Sequence, residues 1–282
     1  MNIRYYIISI ISIFLALGIG MFIGFMFDAQ ELLTSEKEDM VEKLELKFEN
    51  LQTENKEVNT KLNNALEKNR QYIDFTESIL PELVENRLLG INIVVIETNN
   101  DYSYSDVTSI LQLSGANVNK ITLVDKNIIN NMSFLKSQLF DADSNLDDSE
   151  VIQAIIPEFV NDIVNNRVSL MLNQIKKRNL VMVEGSTLEN TDYFIVAGGA
   201  KKDNVHKSHT INNTIVDYLM INNYPLIAIE KDYVKSSFTQ NYQDRKIDTI
   251  NNINTAMGKA SLVLILENNI LNSKIQSTIE RE

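Results

Sequence analysis

The feature that most constrains this chain is residues 5–27, YYIISIISIFLALGIGMFIGFMF, a run of 23 residues without a charge. Its only polar interruptions are Ser9 and Ser12. A bilayer core of roughly 30 Å is crossed by about 20 residues of helix. A helix closes its own backbone hydrogen bonds, so such a segment persists in lipid. The run predicts a transmembrane helix. A cleaved signal peptide would carry a shorter apolar region and a small-x-small cleavage site. The exit, Met26-Phe27-Asp28-Ala29-Gln30, offers none, so the segment reads as an uncleaved anchor. Arg4 precedes it and no Lys or Arg follows until Lys37. The positive-inside rule then places residues 1–4 in the cytoplasm and the bulk of the chain outside a cell membrane crossed once. Ala16, Gly20 and Gly24 recur every four residues along one face. That spacing lets two helices approach closely, although small residues are common in membrane helices for other reasons.

Residues 28–87 form the next block. It has no Gly, Pro81 is its only Pro, and it carries 15 acidic and 8 basic residues. Its apolar residues follow a heptad. The a positions are Val41, Phe48, Asn55, Leu62, Asn69 and Thr76, and the d positions are Leu44, Leu51, Val58, Ala65, Tyr72 and Ile79. Alternating spacings of 3 and 4 over nearly six heptads predict a coiled-coil stalk of about 60 Å. Asn at a costs stability and favours two strands in register, because each Asn pairs with its twin. Chains anchored in one membrane must run parallel, so the expected partner is a second copy. The e and g positions do not form complementary charge pairs, and a single helix packing on its own domain is the alternative. Pro81 fits the end of the rod.

Net charge is −12. An acidic chain repels phosphate backbones, which argues against a nucleic-acid partner. There is no Cys, which removes disulfides, thiolate metal sites and cysteine nucleophiles together.

Residues 88–282 alternate apolar runs with helical patterns. Ile91–Ile96, Val118–Val124, Leu180–Glu184, Asp192–Ala197, Pro225–Glu230 and Ser261–Leu266 read as strands. Ser103–Asp106 opens a helix that Gly115 closes. Pro157 suits the first turn of a long helix through Lys177. Asn212–Ile221 and 248–257 read as helices, the latter closed by Gly258, and 268–282 as a surface helix. The pattern predicts a mainly parallel, three-layer α/β domain of Rossmann-like type.

Ligands of such sheets bind beyond the carboxyl ends of the strands. Gly198-Gly199-Ala-Lys201-Lys202 falls at such an end and would hold an anion, but it lacks both GxGxxG and the P-loop pattern; a tight strand-to-loop turn explains it equally. His206 and His209, the only histidines, would share a copper ion if both lay on one helix face; surface histidines are the plainer reading. Asp141, Asp143, Asp147 and Asp148 lack the spacing and glycine of a calcium loop and suit a solvated loop or helix cap. Serine nucleophile elbows, HExxH and paired catalytic carboxylates are missing, so no enzyme is expected and no cofactor is assigned.

Several segments taken in order resemble the MctB-type copper-transporter family of bacterial envelope proteins. They are Arg4-Tyr-Tyr with Phe14-Leu-Ala-Leu-Gly-Ile-Gly-Met-Phe-Ile-Gly24, then Arg87-Leu-Leu-Gly90, then Asp192-Tyr-Phe-Ile-Val-Ala-Gly198-Gly199. The last spans Ile247-Asp248-Thr-Ile-Asn251-Asn252 and Gly258 to Leu266. The resemblance implies copper efflux or tolerance. The family also looks related to actinobacterial SteB, which works with a membrane partner, SteA, at division. One apolar helix does not line an aqueous pore, and no strand shows the alternating pattern of a membrane barrel. Two readings follow: a dimeric, non-enzymatic envelope scaffold acting through protein partners, and direct copper handling through His206 and His209.

Overall fold

The computed structural model describes residues 3–139, 146–165, 167, 169–185, 190–202 and 206–279. The chain divides into two compact units, Met1–Gln71 and Tyr72–Glu282. The first unit is helix throughout its described length, within α1 (Ile3–Val84). No Gly or Pro interrupts that helix between residues 25 and 80. Pro81 lies in its last turn, so the helix ends three residues beyond the predicted stop. Asn86 and Gly90, both at positive φ, turn the chain out of it.

The second unit is built on one sheet. Its strands are β1 (Asn92–Glu97), β2 (Asn117–Leu123), β3 (Val181–Glu184), β4 (Tyr193–Ala197), β5 (Leu226–Ile229) and β6 (Asp248–Ile250). The order is β3-β2-β1-β4-β5-β6, with every neighbour parallel except the edge pair β2–β3. Side chains alternate between two cores, as the period of 2 requires. Val94, Ile96, Phe194 and Val196 pack beneath α5 (Asp148–Val164) and α7 (His206–Ile221). Ile93, Val95, Ile195 and Ile227 pack with Val107 and Leu111 of α2 (Ser105–Leu113) and with Leu262, Val263 and Leu266 of α8 (Ala256–Ile279). Leu80 and Val84 join this second core. Helices on both faces explain why the strands read as continuous apolar runs. The short helices α3 (Asp125–Asn130), α4 (Met132–Leu139) and α6 (Leu170–Lys177) complete the layers.

Four expectations need correction. Ser261–Leu266 is not a strand but part of α8, and 248–257 is not a helix: it begins as β6, paired in register with β5. A six-residue apolar run does not separate buried strand from buried helix. The local decision comes from Thr255, whose Oγ1 accepts the Gly258 N–H at 3.0 Å and starts α8 there. Gly258 therefore lies inside the first turn of a helix and closes none. Pro157 does not open a helix; it sits within α5, which Asp147 and Glu150 start with a reciprocal capping box. Its missing N–H leaves the Gln153 carbonyl without that helical partner, at a groove that Gln153 and Pro157 both line. α5 ends at Val164 and α6 starts at Leu170, so no single helix reaches Lys177. Finally, α7 begins at His206 rather than Asn212. Asp147 thus acts as a cap, as does the acidic first turn it opens; Asp141 and Asp143 lie outside the described residues.

Candidate functional site

The strand order reverses between β1 and β4, where an open α/β sheet has its ligand crevice. Four sequence features bring polar groups there. The first is a pair of buried glutamates that end β1 and follow β5, Glu97 and Glu230, each about 3% exposed. Glu97 accepts from the Tyr104 N–H at 2.8 Å and from the Thr122 hydroxyl. Glu230 accepts from Ser237 Oγ at 2.6 Å and from the N–H groups of Phe238 and Thr239 at 3.0 and 3.3 Å. Each carboxylate ties down the loop that crosses the crevice. Both are visible in the sequence as a Glu closing an apolar run, VVIE and IAIE.

The second feature is the Gly198-Gly199 turn after β4. Gly199 has φ +93°, a region that suits glycine. A Cβ there would fall 2.6 Å from Val234 Cγ1, and one on Gly198 would fall 3.0 Å from the Phe238 ring. The Gly198 carbonyl accepts from the Tyr104 hydroxyl, and the Gly199 carbonyl from Asn99 Nδ2 at 3.0 Å. Burial, and then the charge of Glu230, push the Tyr104 phenol far above its usual range. Tyr104, Val234 and Phe238 pack against this turn. Lys201 and Lys202 are exposed at the rim of the crevice; Lys201 Nζ stands 5.3 Å from the Tyr102 ring centre.

The third feature is α7. His206, its first residue, is exposed; His209 is half-buried, with Nε2 3.3 Å from Ser236 Oγ and its ring centre 4.3 Å from that of Phe238. Burial, and secondarily the neighbouring His206, hold the His209 imidazole below its usual value. Two imidazoles alone make an incomplete copper site, and no three His, Cys, Asp or Glu side chains gather among the described residues.

The fourth feature is the turn from β6 to α8. Asn251 Oδ1 accepts from Thr239 Oγ1 at 3.0 Å, and Asp248 from Asn269 Nδ2 at 3.0 Å. A Cβ on Gly258 would collide with the backbone of Asn252. Asn251, Asn252 and Gly258 thus hold the strand–helix junction together, while Asp248, at the opposite end of β6, ties the strand to α8 farther along.

The candidate pairing residues lie in the other unit. Ala16, Gly20 and Gly24 are exposed, as are Val41, Leu44, Phe48, Leu51, Asn55, Val58, Leu62 and Asn69. The large apolar members of this stripe run from 52% exposed at Leu62 to 69% at Phe48. Residues 4–27 form one helix long and apolar enough to cross a membrane.

A family model described as copper transport outer membrane protein, MctB, matches residues 1–274. Comparison with curated proteins finds no match.

Proposed function

The chain belongs to the MctB family, and from that premise we propose that it is an anchored, non-enzymatic envelope scaffold that pairs in parallel and acts on copper through protein partners. The observation that carries this reading is the exposed heptad stripe of α1. Leucine, valine and phenylalanine left in water at a and d positions are what a coiled-coil partner buries. Self-pairing at Asn55 and Asn69 fits two strands in register, and Arg4 fits an inside N-terminus. The α/β unit is then extracytoplasmic and its doubly wound, Rossmann-like sheet displays surfaces to partners. Its strands, 3 to 7 residues long and covered on both faces, are shorter than the ~9–11 residues of a membrane barrel strand.

The absence of cysteine makes the test clean. Leu51→Cys and Leu44→Cys, oxidised in membranes, should crosslink two chains, and Thr53→Cys, on the outer face of the heptad, should not. Equal crosslinking at all three positions, or none, sinks the parallel seam.

A second reading, direct copper handling, draws on the family description and on the two imidazoles one turn apart on α7. Stoichiometric copper binding to the solubilised chain, lost in His206→Ala/His209→Ala, favours it. Unchanged binding in that double variant removes these residues as ligands.

A further inference from the structure

A groove of about 510 Å³ lies between α5 and α7, within the size range of small-molecule sites. Gln153 and Pro157 line it from α5, Asn213, Asp217 and Tyr218 from α7, and Arg245 from the 3-10 turn Thr239–Arg245. Each of these residues stays at least partly open to solvent. Pro157 carries no N–H, so the Gln153 carbonyl one turn earlier lacks its helical donor. The Asn213 carboxamide, which both donates and accepts, has no hydrogen-bond partner among the described residues. Asp217 and Arg245 are the charged residues that line the groove, and they offset each other: Arg245 Nη1 donates to Asp217 Oδ1 at 2.7 Å. That bond uses one guanidinium N–H and one carboxylate oxygen and leaves the others for a ligand. The Tyr218 hydroxyl donates to Asn161 Oδ1 at 3.2 Å, which steadies the ring at the groove wall.

Donors and acceptors thus share one groove without net charge, beside an aromatic ring and a proline ring. An anion or a cation finds there no unpaired charge to meet it. A peptide is held by adding a strand to a sheet edge or by sinking apolar anchors into a hydrophobic groove. Two helices offer no sheet edge, and the polar groups of Gln153, Asn213, Asp217 and Arg245 interrupt an apolar seat. A saccharide suits the lining. Each of its hydroxyls donates and accepts at once, and the C–H face of its ring packs on an aromatic one.

We propose that the α5–α7 groove binds a neutral saccharide, with the Gln153 carbonyl and the Asp217 carboxylate accepting from its hydroxyls and Asn213 and Arg245 donating to them. Pro157 then has a role that helix formation does not explain: it keeps an acceptor open in the middle of α5. The site uses neither the heptad of α1 nor His206 and His209, so it stands or falls apart from the pairing and copper readings.

The test uses the full chain in a detergent without a sugar headgroup. Maltotriose, chitotriose, capped tetraalanine and sulfate are titrated singly and followed by calorimetry. At least one trisaccharide should bind at one site per chain. Pro157→Ala supplies the N–H that closes the Gln153 carbonyl. It should weaken that binding by about fivefold while the thermal midpoint holds or rises, because alanine suits a helix interior. Asn213→Ala should weaken binding by about the same factor and leave the midpoint in place. If Pro157→Ala fails to fold, Asn213→Ala alone decides. No binding of either trisaccharide, or an affinity unchanged in a folded variant, overturns the site. Tighter binding of tetraalanine or sulfate than of both trisaccharides overturns it as well.

Discussion

The two units of this protein carry apolar residues in comparable supply and use them in opposite ways. In residues 4–71 every described side chain is exposed, including the large apolar ones. In the described part of residues 72–282 most apolar residues of the strands and of the helices covering them fall into two closed cores, one on each face of the sheet. The difference lies in whether the pattern finds its complement within the same chain. A period of 2 across several strands makes a sheet whose faces helices of the same chain can cover. The heptad and the apolar run of the first unit stay exposed, and under the proposed pairing lipid and a second copy would cover them. Substitutions in the second unit should therefore change folding, and substitutions in the first should change association alone.

The largest effect is expected at Gly258. Valine there drives a side chain into the Asn252 backbone at the β6–α8 junction, where no flexible group can yield. A loss of about 4 kcal/mol, enough to unfold the second unit, follows from backbone overpacking of this kind. Tyrosine dichroism should collapse while anchoring in membranes persists. A Gly258→Val protein with a native midpoint would break the account of the junction.

Glu230→Ala comes next. It removes the acceptor of one hydroxyl and two N–H groups in a buried loop. Orphaned donors of that sort cost about 3 kcal/mol together. The midpoint should fall, and limited proteolysis should cut first between residues 231 and 246. Cleavage elsewhere, with that loop intact, would show that the carboxylate does not hold it.

Leu51→Ala tests the other side of the comparison. Losing a buried leucine from a paired seam costs about 2 kcal/mol per chain. Crosslinking should weaken while the tyrosine midpoint of the second unit stays put. A shift in that midpoint equal to the loss of crosslinking would mean that the stripe serves folding rather than pairing.

How far the sequence reveals this molecule depends on the same distinction. The apolar helix of residues 4–27 and strands β1, β4 and β5 are legible because a single period, or its complete absence, dominates each. Gly115 and Gly199 are legible as turns because their φ values, +86° and +93°, suit glycine. The swap of β6 and α8 was not legible. Leu262, Val263 and Leu266 are fully buried while Ser261, Leu264 and Ile265 are half-covered, so the helix carries no polar stripe to betray its period. Of the residues around the crevice, Lys201 and the histidines stand out by residue type. Glu97 and Glu230 do not, because a carboxylate takes its meaning from burial, and burial depends on which loop folds over it.

The smallest effect separates burial from charge at His209. Its imidazole is held below the usual 6.5, first by burial and then by His206. The folded state therefore prefers the neutral ring, and the unfolded chain takes up protons first as the pH falls. Stability from this residue is complete above pH 6.5 and declines as the pH drops through that value. The ring is half exposed, so solvent screening keeps the loss to about 0.5 kcal/mol or less. In a thermal series from about pH 7.5 to 5.5, where ordinary carboxylates stay ionised, the wild-type midpoint should sag slightly. His209→Gln should flatten that sag, because the Ser236 contact survives and the titration does not. His206→Gln should make it shallower without removing it, since the charge of His206 is the lesser cause. An identical slope in all three proteins would move the origin of the pH dependence away from α7.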